Sequence, residues 1–174
     1  DAIFAFHCMP DLEAGKIGYT GGPVWARSEL VEITVQGKKT HAAYPHSGVD
    51  AVVVASHLIL ALQTVTSRSV DTRLPPVLSI GKLEAGGSYN IIAEQARLTG
   101  ILRTLSDEAA RVAIDAIHRI ASGVAATFGA EVDVKLTPGA RLVENDVALE
   151  ARTVGLFREI VGEERVVKHM PQLG

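Results

Sequence analysis

The chain has 174 residues and a net charge of −3, and 47% of its residues are hydrophobic while 21% are charged. This length and apolar content suit a folded domain with a buried core and exclude a disordered chain, and no apolar run approaches the ~18 residues of a membrane span. The weak negative charge, the 5% aromatic content and the single cysteine argue against a nucleic-acid surface, a disulfide framework and a cysteine-based zinc site.

The first predicted element is a strand at residues 2–6, a fully apolar run typical of a strand buried on both faces of a parallel sheet. No basic targeting region precedes it, and the rest of the sequence does not supply such a sheet. The last residues, 169–174, have neither a helix cap nor a polar tail. We therefore expect the chain to be a piece of a larger cytoplasmic protein.

Four further segments have the composition and alternation of strands, namely residues 29–36, 77–83, 95–104 and 130–136. Two segments carry apolar residues at helical spacing, at about residues 50–68 and 108–128. Ser106 and Asp107 are predicted to cap the second helix, and Gly129 to end it. The order β-α-β-β-α-β predicts an α+β, ferredoxin-like fold: a four-stranded antiparallel sheet with both helices on one face. A third helix, at about 146–161, lies outside this unit.

Two helices cover only one face of such a sheet, so the other face stays open. Arg103 alternates with the apolar residues Ala96, Leu98 and Leu102 of its strand and is therefore predicted on the open face. A cation on that face is available to a ligand. The alternative interpretation is a solvated surface charge.

The chain has six histidines, of which His57 and His118 lie in predicted helices and His169 lies near a chain end. His7 differs because it follows the apolar run of residues 2–6, at the kind of strand end where open α/β sheets bind ligands. A neutral imidazole there is a candidate metal ligand. A histidine without any special role is the alternative.

The loop at residues 37–50, GKKTHAAYPHSGVD, is denser in polar groups than an ordinary connection needs. It places His41 and His46 around a stretch stiffened by Pro45, and these histidines are either functional or structural. The sequence has no HExxH motif and no histidine–carboxylate cluster, which a hydrolytic metal centre requires. Any metal bound by His7 therefore needs ligands from elsewhere.

A second loop, GGSYN at residues 86–90, combines two glycines with the amide of Asn90. One interpretation is a turn in which Asn90 adopts a left-handed backbone. The other is a functional amide, because an asparagine amide and an arginine fork such as that of Arg103 would together clamp a carboxylate.

Four segments in this order, HCMP (7–10), GKKTHAAYPHSGVD, GGSYNIIAEQ and GILRT, resemble the M20 peptidase and amidohydrolase family. The resemblance covers nearly the whole chain and is closest to the aminoacylase, hippurate hydrolase and N-acyl-amino-acid amidohydrolase branch. The pattern HAAxPHxGxD is its most specific part. The sequence departs from the family at Lys39-Thr40, where Gly-Gly is more common, and at Ala93, where proline is usual.

The resemblance implies three parts: residues 1–25 end a catalytic α/β domain, residues 26–138 form a lid that mediates homodimerisation, and residues 139–174 return into the catalytic domain. It also implies two divalent metal ions in the full-length enzyme, usually zinc, with manganese, cobalt or nickel as alternatives. This chain by itself is expected to be metal-free and inactive.

For individual residues, the resemblance implies that His7 is a metal ligand, while His41 is catalytic and stabilises the oxyanion in the partner subunit's active site. Asn90 and Arg103 would hold the substrate carboxylate, and His46 would be structural. The implied function is metal-dependent hydrolysis of N-acyl amino acids such as hippurate. The alternative is a stand-alone ferredoxin-like binding or dimerisation module without catalysis. The β-α-β-β-α-β order alone does not distinguish this module from part of a hydrolase.

Overall fold

The structure, a computed structural model, describes residues 2–173. The chain divides into two compact units, one formed by residues 2–24 and 144–172 and the other by residues 25–143 together with residue 173. The helices and strands are, in chain order, β1 (Ile17–Tyr19), β2 (Gly22–Trp25), β3 (Arg27–Gln36), β4 (Thr40–His41), α1 (Ala51–Thr64), β5 (Val77–Ala85), β6 (Ile91–Ile92), β7 (Gln95–Thr104), α2 (Asp107–Phe128), β8 (Glu131–Pro138), β9 (Val143–Asn145), α3 (Val147–Val161) and β10 (Val166–Lys168).

The larger unit is built on a four-stranded sheet with the strand order β5-β7-β3-β8. All three pairings in this sheet are antiparallel. The central pairing, β3 with β7, runs in unbroken register over ten residue pairs, from Arg27–Thr104 to Gln36–Gln95. The predicted antiparallel sheet is therefore confirmed, with the order β-α-β-β-α-β along the chain.

Both helices of this unit pack on the same face of the sheet. Alternate residues of β3 and β7, including Val31, Ile33 and Leu98, are almost completely buried in one core cluster with the inner faces of α1 and α2. α1 packs against β5, β7 and β3, while α2 packs against β8 and β7. The opposite face carries the polar residues of each strand, as the alternation in the sequence predicted.

Local signals in the sequence set the ends of these helices. At the start of α1, the Asp50 carboxylate accepts a hydrogen bond from the Val52 backbone N–H (2.9 Å). At the start of α2, the Ser106 hydroxyl oxygen accepts one from the Ala109 backbone N–H (3.3 Å). Gly129 ends α2 with φ of +68°, a left-handed conformation that glycine adopts without steric cost. α1 continues as a wider, π-helical turn over Val65–Ser69.

One helical stretch of the described chain, Ala51–Ser69, is long and apolar enough to cross a membrane by length and composition. Its residues Val54, Leu58 and Leu62 are at most 1% exposed and lie in the core against the sheet. A core helix passes the same test, so this stretch is weak evidence for a membrane span.

The smaller unit pairs β1 with β10 in parallel, from Ile17–Val166 to Tyr19–Lys168. α3 begins after the cap residue Asp146, as predicted. The expected strand at residues 2–6 is wrong, because these residues form no strand and Ile3 and Phe6 are 94% and 77% exposed. Apolar residues alone do not make a strand, and no described strand pairs with this segment, although the Phe6 ring lies 5.9 Å from that of Phe157.

An ion network at the Arg27 end of β3 links the buried Glu29 through the partly buried Arg27 to the exposed Asp107. The Arg27 guanidinium donates to Glu29 (2.8 Å from Nε to Oε1) and also pairs with Asp107, the first residue of α2. Burial disfavours the charged form of Arg27, but the hydrogen bonds to Asp107 and Glu29 outweigh this and raise its pKa. Glu29 is 2% exposed, so its charge depends on Arg27 for compensation.

We expect Arg27→Met to reduce the free energy of unfolding by about 3 kcal/mol, because it leaves the Glu29 carboxylate buried without its cation. Arg97→Met is the matched control, since Arg97 is exposed and its Nε donates to Gln95. The measurement is urea denaturation of both variants. Equal midpoints for the two variants would show that the Arg27 network does not stabilise the fold.

Candidate substrate-binding site

His41 and Asn90 lie side by side at one end of the sheet. The short strands β4 and β6 pair antiparallel, with His41 opposite Ile91. The Ala42 backbone N–H donates to the Asn90 carbonyl at 3.0 Å. Two loops that are far apart in the sequence therefore bring the predicted histidine and the predicted asparagine together.

The loop that carries His41 is closed by reciprocal backbone hydrogen bonds between Lys38 and Val49 (2.9 and 3.0 Å). The closed loop needs glycine at position 48, because a Cβ there would lie only 2.6 Å from both the Lys38 carbonyl oxygen and a Thr40 side-chain carbon. These hydrogen bonds tie the two ends of the loop together.

The ring of His41 is exposed and oriented by its own turn. The Ala43 backbone N–H donates to Nδ1 at 3.2 Å, so the neutral ring carries its proton on Nε2. The Tyr44 ring lies 5.9 Å away, and the His46 ring is edge-on to Tyr44 at 6.4 Å. His41 therefore presents an N–H donor to solvent, while His46 supports the loop.

The amide of Asn90 is also oriented by a neighbour. The Ser88 hydroxyl donates to Asn90 Oδ1 at 2.7 Å, which leaves the two N–H groups of Nδ2 as donors. The interpretation of Asn90 as a left-handed turn residue is wrong. Asn90 does lie in a turn, in which the Ile91 backbone N–H donates to the Ser88 carbonyl at 3.4 Å, but in residues 2–173 only glycines have positive φ, Gly86 at +67° among them.

Arg103 lies on the open face of the sheet, where its register partners are Ser28 on β3 and Val77 on β5. One guanidinium nitrogen, Nη1, donates to the Leu173 carbonyl at 2.9 Å, and the side chain is half-buried. The predicted position on the uncovered face is correct.

Arg103 and Asn90 do not meet within one chain. Asn90 precedes the Gln95 end of β7, whereas Arg103 stands eight residues further along the strand, a distance of about 26 Å. The two side chains flank one strand, as expected, but they stand at its opposite ends. The reason is geometric: an extended strand carries its two ends apart.

His7 belongs to the smaller unit, is exposed, and has its Nδ1 3.0 Å from the Cys8 carbonyl oxygen. Among the described residues there is no group of three or more His, Cys, Asp or Glu side chains that could hold a metal ion. The described part of the chain by itself does not form a metal centre around His7.

The sequence reasoning missed two features beside Asn90. One is the hydrogen bond from Ser88 to Asn90, which the spacing of two residues between a serine and an asparagine could have suggested. The other is a groove of about 580 Å³ beside this loop, whose polar lining includes Lys39, Glu84, Ser88 and Arg97. These side chains come from three separate segments, so only the folded sheet brings them together.

The sequence model of the peptidase dimerisation domain of the M20 family matches residues 28–129, more than half of the chain. The chain belongs to the M20 peptidase family. It is 39% identical to an N-acetyldiaminopimelate deacetylase of Streptococcus thermophilus over 90% of this chain and 42% of that protein. It is 38% identical to the N-acetylcysteine deacetylase of Bacillus subtilis over 83% of this chain and 38% of that protein.

Among solved structures, this M20 chain is similar to the Bacillus subtilis YXEP protein, described as a dinuclear metal-binding peptidase of the M20 family. The TM-score is 0.77 and the identity 29%, over 97% of this chain and 41% of the other. The chain thus spans about two fifths of the length of the relatives that it matches.

The hydrogen bond from Ala43 predicts that the neutral His41 ring is protonated on Nε2. Long-range ¹⁵N–¹H NMR spectra of the histidine rings report this tautomer directly. Ala43→Pro removes the donor and should increase the Nδ1-protonated form, whereas Ala43→Gly keeps the backbone N–H and should not. A predominantly Nδ1-protonated ring in the unmodified protein would contradict this geometry.

Proposed function

We propose that the whole protein is an amidohydrolase that cleaves the amide bond of N-acyl amino acids, and that this chain supplies its dimerisation domain and part of its substrate site. The observation that carries the proposal is the pair of oriented donors, Nε2–H of His41 and Nδ2–H of Asn90, on adjacent loops. The strand order β5-β7-β3-β8 further supports assigning the larger unit to the ferredoxin-like class.

The named relatives support the substrate class. A diaminopimelate and a cysteine carrying an N-acetyl group are both N-acyl amino acids, and each relative's name describes removal of that acetyl group. For this protein we propose N-acetyl amino acids as the first substrates to test, with N-benzoyl compounds such as hippurate in the same panel.

His41 is proposed to stabilise the transition state. Amide hydrolysis places negative charge on the former carbonyl oxygen, and a fixed N–H donor aimed at that oxygen contributes about 3 kcal/mol in comparable enzymes. The exposed Nε2–H of His41 suits this role because the ring needs no reorganisation: Ala43 and the closed loop already hold it.

Asn90 and Arg103 are proposed to hold the carboxylate of the amino acid. An N-acyl amino acid is about as long as two residues, roughly 7 Å. The separation of about 26 Å along β7 is far larger, so one substrate cannot contact both side chains of the same chain. If both bind one substrate, Arg103 must come from one subunit of a dimer while Asn90 and His41 come from the other.

The described residues of this chain do not by themselves form a metal site. Because the Bacillus subtilis relative is described as dinuclear, we propose two metal ions in the whole protein, with His7 as this chain's candidate ligand. Zinc remains the expected metal.

Subunit complementation tests the shared site. In the full-length protein, His41→Ala and Arg103→Ala should each abolish most activity toward N-acetyl amino acids as homodimers. Mixing and reassociating equal amounts should restore about a quarter of the wild-type activity, because half of the dimers are mixed and each has one intact site. No recovery, with mixed dimers shown to form, would mean that His41 and Arg103 act in the same subunit.

Substitutions of Asn90 test the carboxylate contact. Asn90→Asp places a negative charge where the substrate carboxylate is proposed to bind, so KM should rise at least roughly tenfold more than with Asn90→Ala. Steady-state kinetics should be compared between an N-acetyl amino acid and its carboxamide, which lacks the charge. An equal effect of Asn90→Asp on both substrates would remove Asn90 from the carboxylate site.

A further inference from the structure

The groove of about 580 Å³ beside the Asn90 loop contains none of the residues to which the proposed function assigns a contact. It is lined by the end of β5, by residues 86–88, by the stretch from β6 into β7, and by Lys39. Its volume falls within the range of about 300–1,000 Å³ that is typical of small-molecule sites. At Gly87 a Cβ would meet no atom within 4 Å, so this part of the lining is open.

Ser88 connects this groove to the carboxylate contact proposed above. It lines the groove, and its hydroxyl donates to Oδ1 of Asn90 at 2.7 Å. A substrate whose main carboxylate is held by Nδ2 of Asn90 therefore lies beside the groove. The side chain of an amino acid such as glutamate extends about 4 Å from its Cα atom. The groove is thus close enough to receive the side chain of the amino acid.

Arg97 contributes an oriented cation to the groove lining. Its Nε donates to Oε1 of Gln95 at 2.9 Å, and Nε2 of Gln95 donates to Oε1 of Gln36 at 3.1 Å across the β3–β7 pairing. These two hydrogen bonds orient the guanidinium on the open face of the sheet and leave its Nη N–H groups as donors. A planar guanidinium with such donors matches the two oxygens of a carboxylate.

Lys39 is the second cation of the lining, at a position where glycine is more common in the M20 family. Within residues 2–173, neither Lys39 nor Arg97 forms an ion pair. The lining also contains two acids, Glu84 and Glu94, and Nζ of Lys82 lies 3.0 Å from Oε2 of Glu84. With Lys82 included, three cations stand against two acids. The groove therefore favours an anionic group.

We propose that this groove is the subsite for the substrate's side chain, and that Lys39 and Arg97 bind a carboxylate on that side chain. The carboxylate oxygens accept hydrogen bonds from the Nη groups of Arg97 and from the Lys39 ammonium. This inference rests on the proposed function, because it takes Asn90 as the contact of the main carboxylate. The preferred substrates are then acidic N-acyl amino acids, with N-acetylglutamate as the first to test.

The side-chain preference is measured as the kcat/KM for N-acetylglutamate divided by that for N-acetylglutamine, which has the same shape without the charge. In the full-length protein this ratio should be at least roughly ten, because the amide loses the charge-assisted hydrogen bonds. Lys39→Glu should reduce the ratio at least roughly tenfold, and Lys39→Arg, which keeps the cation, should retain it. Lys38→Glu is the matched control, since it makes the same charge change at an exposed neighbour that does not line the groove.

A ratio near one in the wild type, or equal effects of Lys39→Glu and Lys38→Glu, overturns the subsite. A higher kcat/KM for Nα-acetyllysine than for N-acetylglutamate also overturns it.

Calorimetric titration of the full-length His41→Ala protein separates this inference from the proposed function, because it measures binding without relying on turnover. N-acetylglutamate should bind at least roughly tenfold more tightly than N-acetylglutamine, and adding Lys39→Glu should remove the difference. Equal binding of the two compounds overturns the subsite. If the wild type cleaves no N-acetyl amino acid, the proposed function fails, and a difference in binding that depends on Lys39 still supports the groove as a carboxylate site.

Discussion

The ten-residue pairing of β3 with β7 is the constraint on which the rest of the larger unit depends. Its unbroken register fixes which residues face the helices and which face solvent, since a slip of one residue would exchange the two faces. It also fixes the two ends of the sheet. Gln36 and Gln95 meet at the end that leads into the His41 and Asn90 loops, while Arg27 and Thr104 meet at the other.

Each end of this pairing carries its own polar chemistry. At the Thr104 end, Arg27 joins the buried Glu29 of β3 to the exposed Asp107 at the start of α2, so these charges are committed to the fold. At the Gln95 end, the polar groups of His41 and Asn90 are oriented by Ala43 and Ser88 and remain available as donors. The fold therefore separates charges that stabilise it from groups that can bind a ligand.

Much of this fold could be predicted from the sequence, because alternation and helix caps are local signals. The strands around Val31 and Leu98, the cap at Ser106 and the left-handed Gly129 all follow from residues within a few positions of one another. The apolar run at residues 2–6 shows the limit of such signals, since a strand also needs a partner. The separation of Asn90 from Arg103 follows from the strand predicted between them, whereas the pairing of the His41 and Asn90 loops depends on contacts between distant segments and could not be predicted.

The placement of Arg103 far from Asn90 has a kinetic consequence if both act on one substrate. Neither chain then holds a complete set of contacts, so catalytic competence is a property of the associated pair. At concentrations below the dissociation constant of that pair, the specific activity falls as the preparation is diluted and returns on concentration. The concentration of the protein in the cell would thus determine the activity of each molecule as well as the number of molecules.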